Sequence, residues 1–185
     1  MRLFVAVNPD ERFQRYLATQ LDAWRQQLRV NWSRPRSWHF TLDFLGDWPA
    51  VRAVELQAAL AEVAAARSPF TVTCGQVGAF PSLARARVLF LQAESGGRLE
   101  ELAAAVRARV DAVWPDGPQD RKPFQAHLTF ARIRTPLPSS QRPLLRQIRF
   151  APWDPFTVDA VRLVESDLSP AGARHTDLAV LPLRG

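Results

Sequence analysis

A strand-like apolar run, an amphipathic helix and an alternating tetrapeptide of the form His-x-Thr-x follow one another twice along this chain. The tetrapeptides are His39-Phe40-Thr41-Leu42 and His127-Leu128-Thr129-Phe130. A β-strand sends residues i and i+2 to one face, so each tetrapeptide sets an imidazole beside a hydroxyl while its apolar pair enters a core. From Leu3 to His39 is 36 residues and from Val88 to His127 is 39, the spacing of an internal duplication. With eight threonines and three histidines in the chain, two such pairs would arise by chance in roughly half a per cent of cases.

The elements follow from periodicity. Leu3 to Val7 reads as a strand closed by Asn8-Pro9-Asp10, and Phe13, Leu17, Leu21, Trp24 and Leu28 predict a helix to about Arg29. Trp32, Pro35 and Trp38 lie in an arginine-bearing loop before a strand from His39 to Leu45. Pro49 opens a helix carried by Val51, Val54, Ala58 and Val63 to about Arg67, and a strand follows from Phe70 to Cys74. After a crossover between Gly75 and Arg87, Val88 to Leu91 is a strand. Leu99, Leu102, Val106, Val110 and Val113 mark a helix that stops at Trp114 to Pro118. The second motif strand runs from His127 to Ile133, a short helix lies between Gln141 and Ile148, and strands at Phe156 to Val164 and Leu178 to Leu181 close the chain. The reading is one α+β domain over residues 1–185 with duplicated halves at about 1–80 and 81–185. Each half is a β-α-β-α-β lobe with an antiparallel sheet. A pseudo-twofold axis brings the motif strands to opposite walls of a central cleft.

Composition narrows the chemistry. Cys74 is the single cysteine, so neither an internal disulfide nor a cysteine zinc cluster is expected. The three histidines lack metal-ligand spacing, and no metal or other cofactor is expected. The net charge of +6 is almost wholly arginine, Lys122 being the one lysine, which suits an anionic partner. The first apolar run stops at Val7, too short for a signal sequence, and no later run would span a membrane. A cytoplasmic protein without membrane or obligatory protein partner is expected.

An imidazole titrates near pH 6.5, so a pair can hold one neutral and one protonated ring near neutrality. One ring then takes a proton from water while the other protonates a departing oxygen. In-line displacement at phosphorus puts those two events on opposite sides, with Thr41 and Thr129 placed to hydrogen-bond the nonbridging oxygens. That set suits opening or forming a phosphodiester without a metal.

The paired motifs resemble the 2H phosphoesterases, specifically the bacterial and archaeal RNA 2',3'-cyclic phosphodiesterase branch, also known as 2'-5' RNA ligases. Arg2-Leu3-Phe4-Val5-Ala6 is similar to the opening strand of that family, and His39 to Gly46 to its first motif. Val77-Gly78-Ala79-Phe80-Pro81, Phe124 to Arg132, and Val164 to Arg174 match its middle, second-motif and C-terminal segments. The resemblance implies a bilobal 2H phosphoesterase fold and hydrolysis of an RNA terminal 2',3'-cyclic phosphate to a 2'-phosphate. It implies His39 as proton donor to the 3'-oxygen and His127 as the acceptor that activates water; the symmetry of the motifs alone cannot assign these roles. Reversal would join a 5'-hydroxyl to the cyclic phosphate. Three departures stand out: Phe40 in place of the usual Leu, Gln125-Ala126 where Pro is common, and His175 where many relatives carry Tyr.

Arg132 often ends the family's second motif, which suggests substrate contact. Strict alternation from His127 puts it on the opposite face unless the strand bulges. For stacking on a base, Phe4, Trp32, Trp38, Phe44 and Phe80 are candidates, Trp32 and Trp38 favoured by the adjacent Arg34 and Arg36. His175 is a further candidate contact. A phosphodiesterase on 2'-5' linked oligonucleotides or small cyclic phosphates, and a noncatalytic RNA-end-binding protein, are the alternatives; the intact histidine pair speaks against the second.

Overall fold

The apolar run at the N-terminus is buried on both faces, as a continuous hydrophobic strand requires. Leu3, Val5 and Val7 enter the main core, while Phe4 and Ala6 form a small separate cluster with Val164 on the other face. The structure, a computed structural model, describes residues 1–117, 122–169 and 172–185. Pro118, and Pro170 and Ala171 of the C-terminal resemblance segment, lie outside the described residues.

The strands are β1 (Arg2–Val7), β2 (Asn31–Trp32), β3 (Phe40–Asp47), β4 (Phe70–Phe80), β5 (Val88–Glu94), β6 (His127–Arg132), β7 (Phe156–Val158), β8 (Ala160–Ser169) and β9 (Gly172–Pro182). The helices are α1 (Glu11–Arg25), α2 (Ala53–Ala65) and α3 (Arg98–Val113). Among the described residues the strands form one curled antiparallel sheet in the order β7-β4-β5-β6-β3-β1-β8-β9, with β2 pairing off β6. Its midpoint falls between β6 and β3. The two motif strands therefore stand side by side, each the innermost of its four-strand group, rather than facing each other across the cleft. Sequence residues 1–80 and 81–185 each supply strands to both groups: β4 stands beside β5, and the β8–β9 hairpin beside β1.

Several boundaries differ from the periodicity. Helix α1 starts at the Asp10 cap, whose carboxylate accepts the Phe13 N–H at 2.8 Å, and ends at Arg25 rather than near Arg29. Leu28 keeps its burial through a turn in which the Gln27 and Leu28 N–H groups both reach the Trp24 carbonyl. In α2 the buried stripe is Leu56, Leu60, Val63 and Ala64, whereas Val51 and Val54 face solvent. Strand β4 continues past Cys74 to Phe80 through a register shift, so the expected crossover is mostly a hairpin with β5. The expected strand from Phe156 to Val164 is two: β7 pairs with β4, β8 with β1, and Asp159 lies between them. The segment between Gln141 and Ile148 is a 3-10 turn over Pro143–Gln147. Gly96 and Gly97, at φ of +59° and +85°, turn the chain from β5 into α3 through left-handed backbone that favours glycine.

Candidate active site

Strands β3 and β6 meet through Phe40, which lies directly opposite Leu128. Both side chains are fully buried on the helix-covered face. Antiparallel register carried one residue either way sets His39 beside Thr129 and Thr41 beside His127. All four are half-buried on the other face. The imidazoles thus occupy one diagonal of a four-residue quadrilateral and the hydroxyls the other.

Each motif strand bulges after its threonine, and the bulges bring a further side chain to this face. In β6, Leu89 pairs with Ala131 but the next residue, Phe90, pairs with Thr129, so Phe130 is an extra residue. Phe130 and Ala131 are both buried, and Arg132 returns to the face of His127 and Thr129. The loop after β2 holds the bulge, because the Ser33 N–H donates to the Phe130 carbonyl at 2.9 Å. In β3, Val5 pairs with Asp43 and Ala6 with Thr41, leaving Leu42 extra. Leu42 and Asp43 are both buried, and Phe44 returns to the cleft face opposite Phe4. Arg132 and Phe44 are therefore equivalent positions of the two halves.

The rings are fixed alike. His39 Nδ1 lies 2.8 Å from the Ser37 carbonyl, and His127 Nδ1 lies 2.7 Å from the Gln125 carbonyl. A carbonyl only accepts, so each Nδ1 carries the proton and Nε2 remains for chemistry. Phe4 lies 4.8 Å from the His39 ring, while Phe80 and Phe90 meet the His127 ring edge-on at 5.1 and 5.4 Å. Gly78, opposite Phe90 in the hairpin, makes room for this arrangement: a Cβ there would come within 2.4 Å of the Phe90 ring. His175, on β9, packs 5.0 Å from Phe4 and 5.4 Å from His39.

Burial is the main influence on all three imidazoles and favours their neutral forms. His39 is pushed down to about 4, with His175, His127 and Arg132 adding repulsion and the Ser37 carbonyl opposing it. His127 is lowered by burial and by Arg132 against the Gln125 carbonyl. His175 is lowered by burial and Arg132, with Asp177 opposing. Arg132 is thus electrostatically coupled to all three rings.

A cavity of about 320 Å³ opens beside this quadrilateral, with Thr41, His127, Phe44, Phe124 and Arg107 among its walls. Phe44 is 50% exposed and carries the Arg2 guanidinium 4.9 Å from its ring centre. The bulge buries the Asp43 carboxylate against Arg107 of α3, Nε to Oδ1 3.5 Å.

Of the sequence candidates, the structure brings together His39, His127, Thr41, Thr129, Arg132, His175 and Phe44. Phe4 and Phe80 support the imidazoles. Trp38 is corrected: at 1% exposure its ring is closed off in the core and no base can reach it. Trp32 is corrected too, because it pairs with Ala131 on the helix-covered face and packs toward Phe130. Sequence reasoning missed Phe90, Phe124, Asp43 and Arg107. Only the place of Phe90 in the alternation of its strand could have pointed to one of them.

Two His-x-Thr pairs related by a pseudo-twofold axis at the centre of such a sheet define a 2H phosphoesterase. The chain belongs to the 2'-5' RNA ligase superfamily, whose sequence model matches residues 9–170. It is 30% identical over 180 residues to an RNA 2',3'-cyclic phosphodiesterase of Archaeoglobus fulgidus, covering 97% of this chain and 99% of that protein. It is 32% identical over 146 residues to the protein of the same name from Aquifex aeolicus, covering 78% and 77% of the two chains. A crystal structure of a Thermus thermophilus protein superposes with a TM-score of 0.82 at 31% identity, over 100% of this chain and 99% of that one. E. coli LigT complexed with 3'-AMP shares the fold, with a TM-score of 0.74 at 21% identity over 100% and 98% of the chains. Among the described residues no helix is long and apolar enough to cross a membrane.

Proposed function

We propose that this protein hydrolyses RNA ending in a 2',3'-cyclic phosphate to the 2'-phosphate, with His127 as base and His39 as acid. The observation that carries the proposal is the matched tethering of the two imidazoles, each Nδ1 held by the carbonyl two residues before it. Both rings thereby offer Nε2 from opposite corners of one small face. Water loses a proton to His127 Nε2 as its oxygen bonds phosphorus. The P–O3' bond breaks, and O3' takes the proton from His39 Nε2. Thr41 and Thr129 donate to the nonbridging oxygens, and Arg132 favours the anion. His39 begins neutral in the free protein, so the anionic phosphate must raise its affinity for the proton that it donates.

The cavity beside Thr41 and His127 favours a second use of the same site. It lies where the water enters, and about 320 Å³ is the size of a small-ligand pocket. A 5'-hydroxyl nucleoside seated there, with Phe44 for its base, would take the place of water and leave a 2'-5' bond.

The test is an EDTA-containing assay on a short RNA with a 2',3'-cyclic phosphate end, resolving 2'- from 3'-phosphate. Wild type should yield 2'-phosphate, and His39→Ala or His127→Ala should lower turnover at least about 100-fold. A 3'-phosphate product would reverse which oxygen leaves, and full activity in either variant would sink the acid-base pair.

A further inference from the structure

From Gly75 to Ala93, and again from Arg121 to Trp153, the sequence contains no aspartate or glutamate. The fold sets parts of these two stretches around one groove of about 950 Å³. Its lining includes Arg85, Arg87, Arg134, Arg142 and Arg146, all exposed, and no carboxylate. The Arg142 Nε donates to the Leu137 carbonyl at 3.2 Å, which holds that guanidinium against the wall. Ile133, Leu137 and Leu145, all buried, anchor the groove in the core. Five guanidinium groups around a trough that exceeds a mononucleotide site are the electrostatic footprint of a polyanion.

The groove begins where the cleft ends. Phe80 touches the His127 ring and the next residue, Pro81, lines the groove. Arg132 influences all three histidines, and the next two residues, Ile133 and Arg134, line the groove as well. The Ile133 N–H donates to the Arg87 carbonyl at 2.8 Å, which ties the two borders together. His127 lies opposite Gln92 and Arg132 opposite Val88, so the bulged strand separates them by roughly 13 Å at about 3.3 Å per residue of β5. His39, beside Thr129, lies nearer the Arg132 end than His127 does.

We propose that this arginine groove binds the phosphodiester backbone of the RNA strand upstream of the cyclic phosphate. The direction of the strand rests on the proposed function: if O3' leaves toward His39, the ribose and everything 5' of it extend toward Arg132 and into the groove. The groove then reads backbone charge a few nucleotides from the reactive end, without base specificity. Long RNA ends are thereby preferred over cyclic mononucleotides.

The experiment pairs two measurements on wild type and an Arg85→Ala/Arg134→Ala/Arg146→Ala variant, with thermal melts to establish that the variant folds. The first is fluorescence anisotropy with a labelled ten-nucleotide RNA ending in a 3'-hydroxyl, a probe on which the enzyme does no chemistry. The variant should bind roughly tenfold more weakly, and its log-affinity against log-salt slope should fall by about 2. The second is KM for a cyclic-phosphate decamer against a 2',3'-cyclic mononucleotide. KM should rise roughly tenfold for the decamer only, with kcat unchanged. Unchanged RNA binding by the variant overturns the groove, as does an equal rise in KM on both substrates. Loss of RNA binding by the variant alongside absence of turnover in wild type would uphold the groove while sinking the phosphodiesterase reading. Equal RNA binding by variant and wild type, while an acidic polypeptide binds only wild type, would assign the groove to a protein instead.

Discussion

Phe40 lies directly across the sheet midline from Leu128, with both side chains fully buried. The four reactive groups flank this pair, so their spacing depends on it. Leu128→Ala should cost about 2–5 kcal/mol, since the cavity cannot close inside a sheet crowded by Phe40 and Phe130. Turnover should fall by up to about 100-fold through misplacement of the neighbouring His127 and Thr129. Leu128→Met, which conserves volume, should cost less than about 1.5 kcal/mol and retain turnover. Urea unfolding and single-turnover kinetics on the two variants check both statements. A stable, fully active Leu128→Ala protein would mean the seam does not set the geometry.

The two imidazoles should give different pH profiles before and after substrate binds. In the free protein His39 is pushed down to about 4, and His127 also lies below its ordinary 6.5. The rate constant kcat/KM reports free-enzyme groups, so both limbs of its bell should lie below about pH 6.5 and the rate should fall through neutrality. A bound phosphate anion favours the imidazolium, so the basic limb of kcat should move to higher pH. Parallel profiles of kcat and kcat/KM from pH 4 to 9 decide this. Coincident basic limbs, or a flat profile, would remove proton uptake on binding from the mechanism.

How far the sequence carried is clearest at Arg132 and Phe44. Alternation from His127 and from His39 assigns both to the core face, yet each reaches the cleft because one extra residue, Phe130 or Leu42, is inserted against the neighbouring strand. A bulge is a mismatch between two strands, and neither strand carries it alone. The histidines and threonines were legible because they precede the bulges. The face of α2 was misread for a different reason. Its alanines and valines make the helix apolar around its circumference, so spacing could not choose between Val54 and Leu56, and packing against α3 and β9 chose Leu56. Trp38, favoured for base stacking by its neighbouring arginines, is closed off in the core, and nothing local distinguishes a loop tryptophan that turns inward. The tethering carbonyls of Ser37 and Gln125 carry no side-chain signature at all.

Arg132 lowers the proton affinity of His39, His127 and His175. Removing its charge must therefore raise all three. Arg132→Gln should shift each imidazole titration upward in an NMR series on the free protein. It should also raise KM by roughly tenfold, the cost of a lost charge-assisted hydrogen bond to an anion. A KM increase without any titration shift would place Arg132 on the substrate but not among the histidines.

Gly78 faces Phe90, and a methyl group added there would lie 2.4 and 2.5 Å from two atoms of its ring. That ring is buried, stacked on Phe80 at 4.3 Å and edge-on to His127 at 5.4 Å, so a shift of the ring disturbs both neighbours. Gly78→Ala should destabilise the protein by about 1–3 kcal/mol, the usual cost of overpacking. It should reduce kcat by displacing His127. The companion variant Gly78→Ala/Phe90→Leu, which removes the obstructing ring atoms, should recover stability. Failure of that rescue would mean the backbone, rather than the ring, requires glycine.

Acid should weaken the free fold through the same histidines. All three are lowered in the folded chain, with His39 near 4 against about 6.5 when unfolded. Between those values the unfolded chain binds more protons, so stability rises with pH there and falls on acidification. The contribution of His39 is fully present above about pH 6.5 and gone below about 4. Melting temperature should accordingly drop between pH 7 and 5, and His39→Gln should drop less because it has no proton to take up. Inorganic phosphate supplies the missing counter-charge. It should raise the melting temperature of wild type more at pH 5 than at pH 7.5, because binding the anion allows the site to hold the proton. A phosphate effect larger at pH 7.5, or a melting temperature constant from pH 7 to 5, would mean that the imidazoles do not meet the anion as a protonated set.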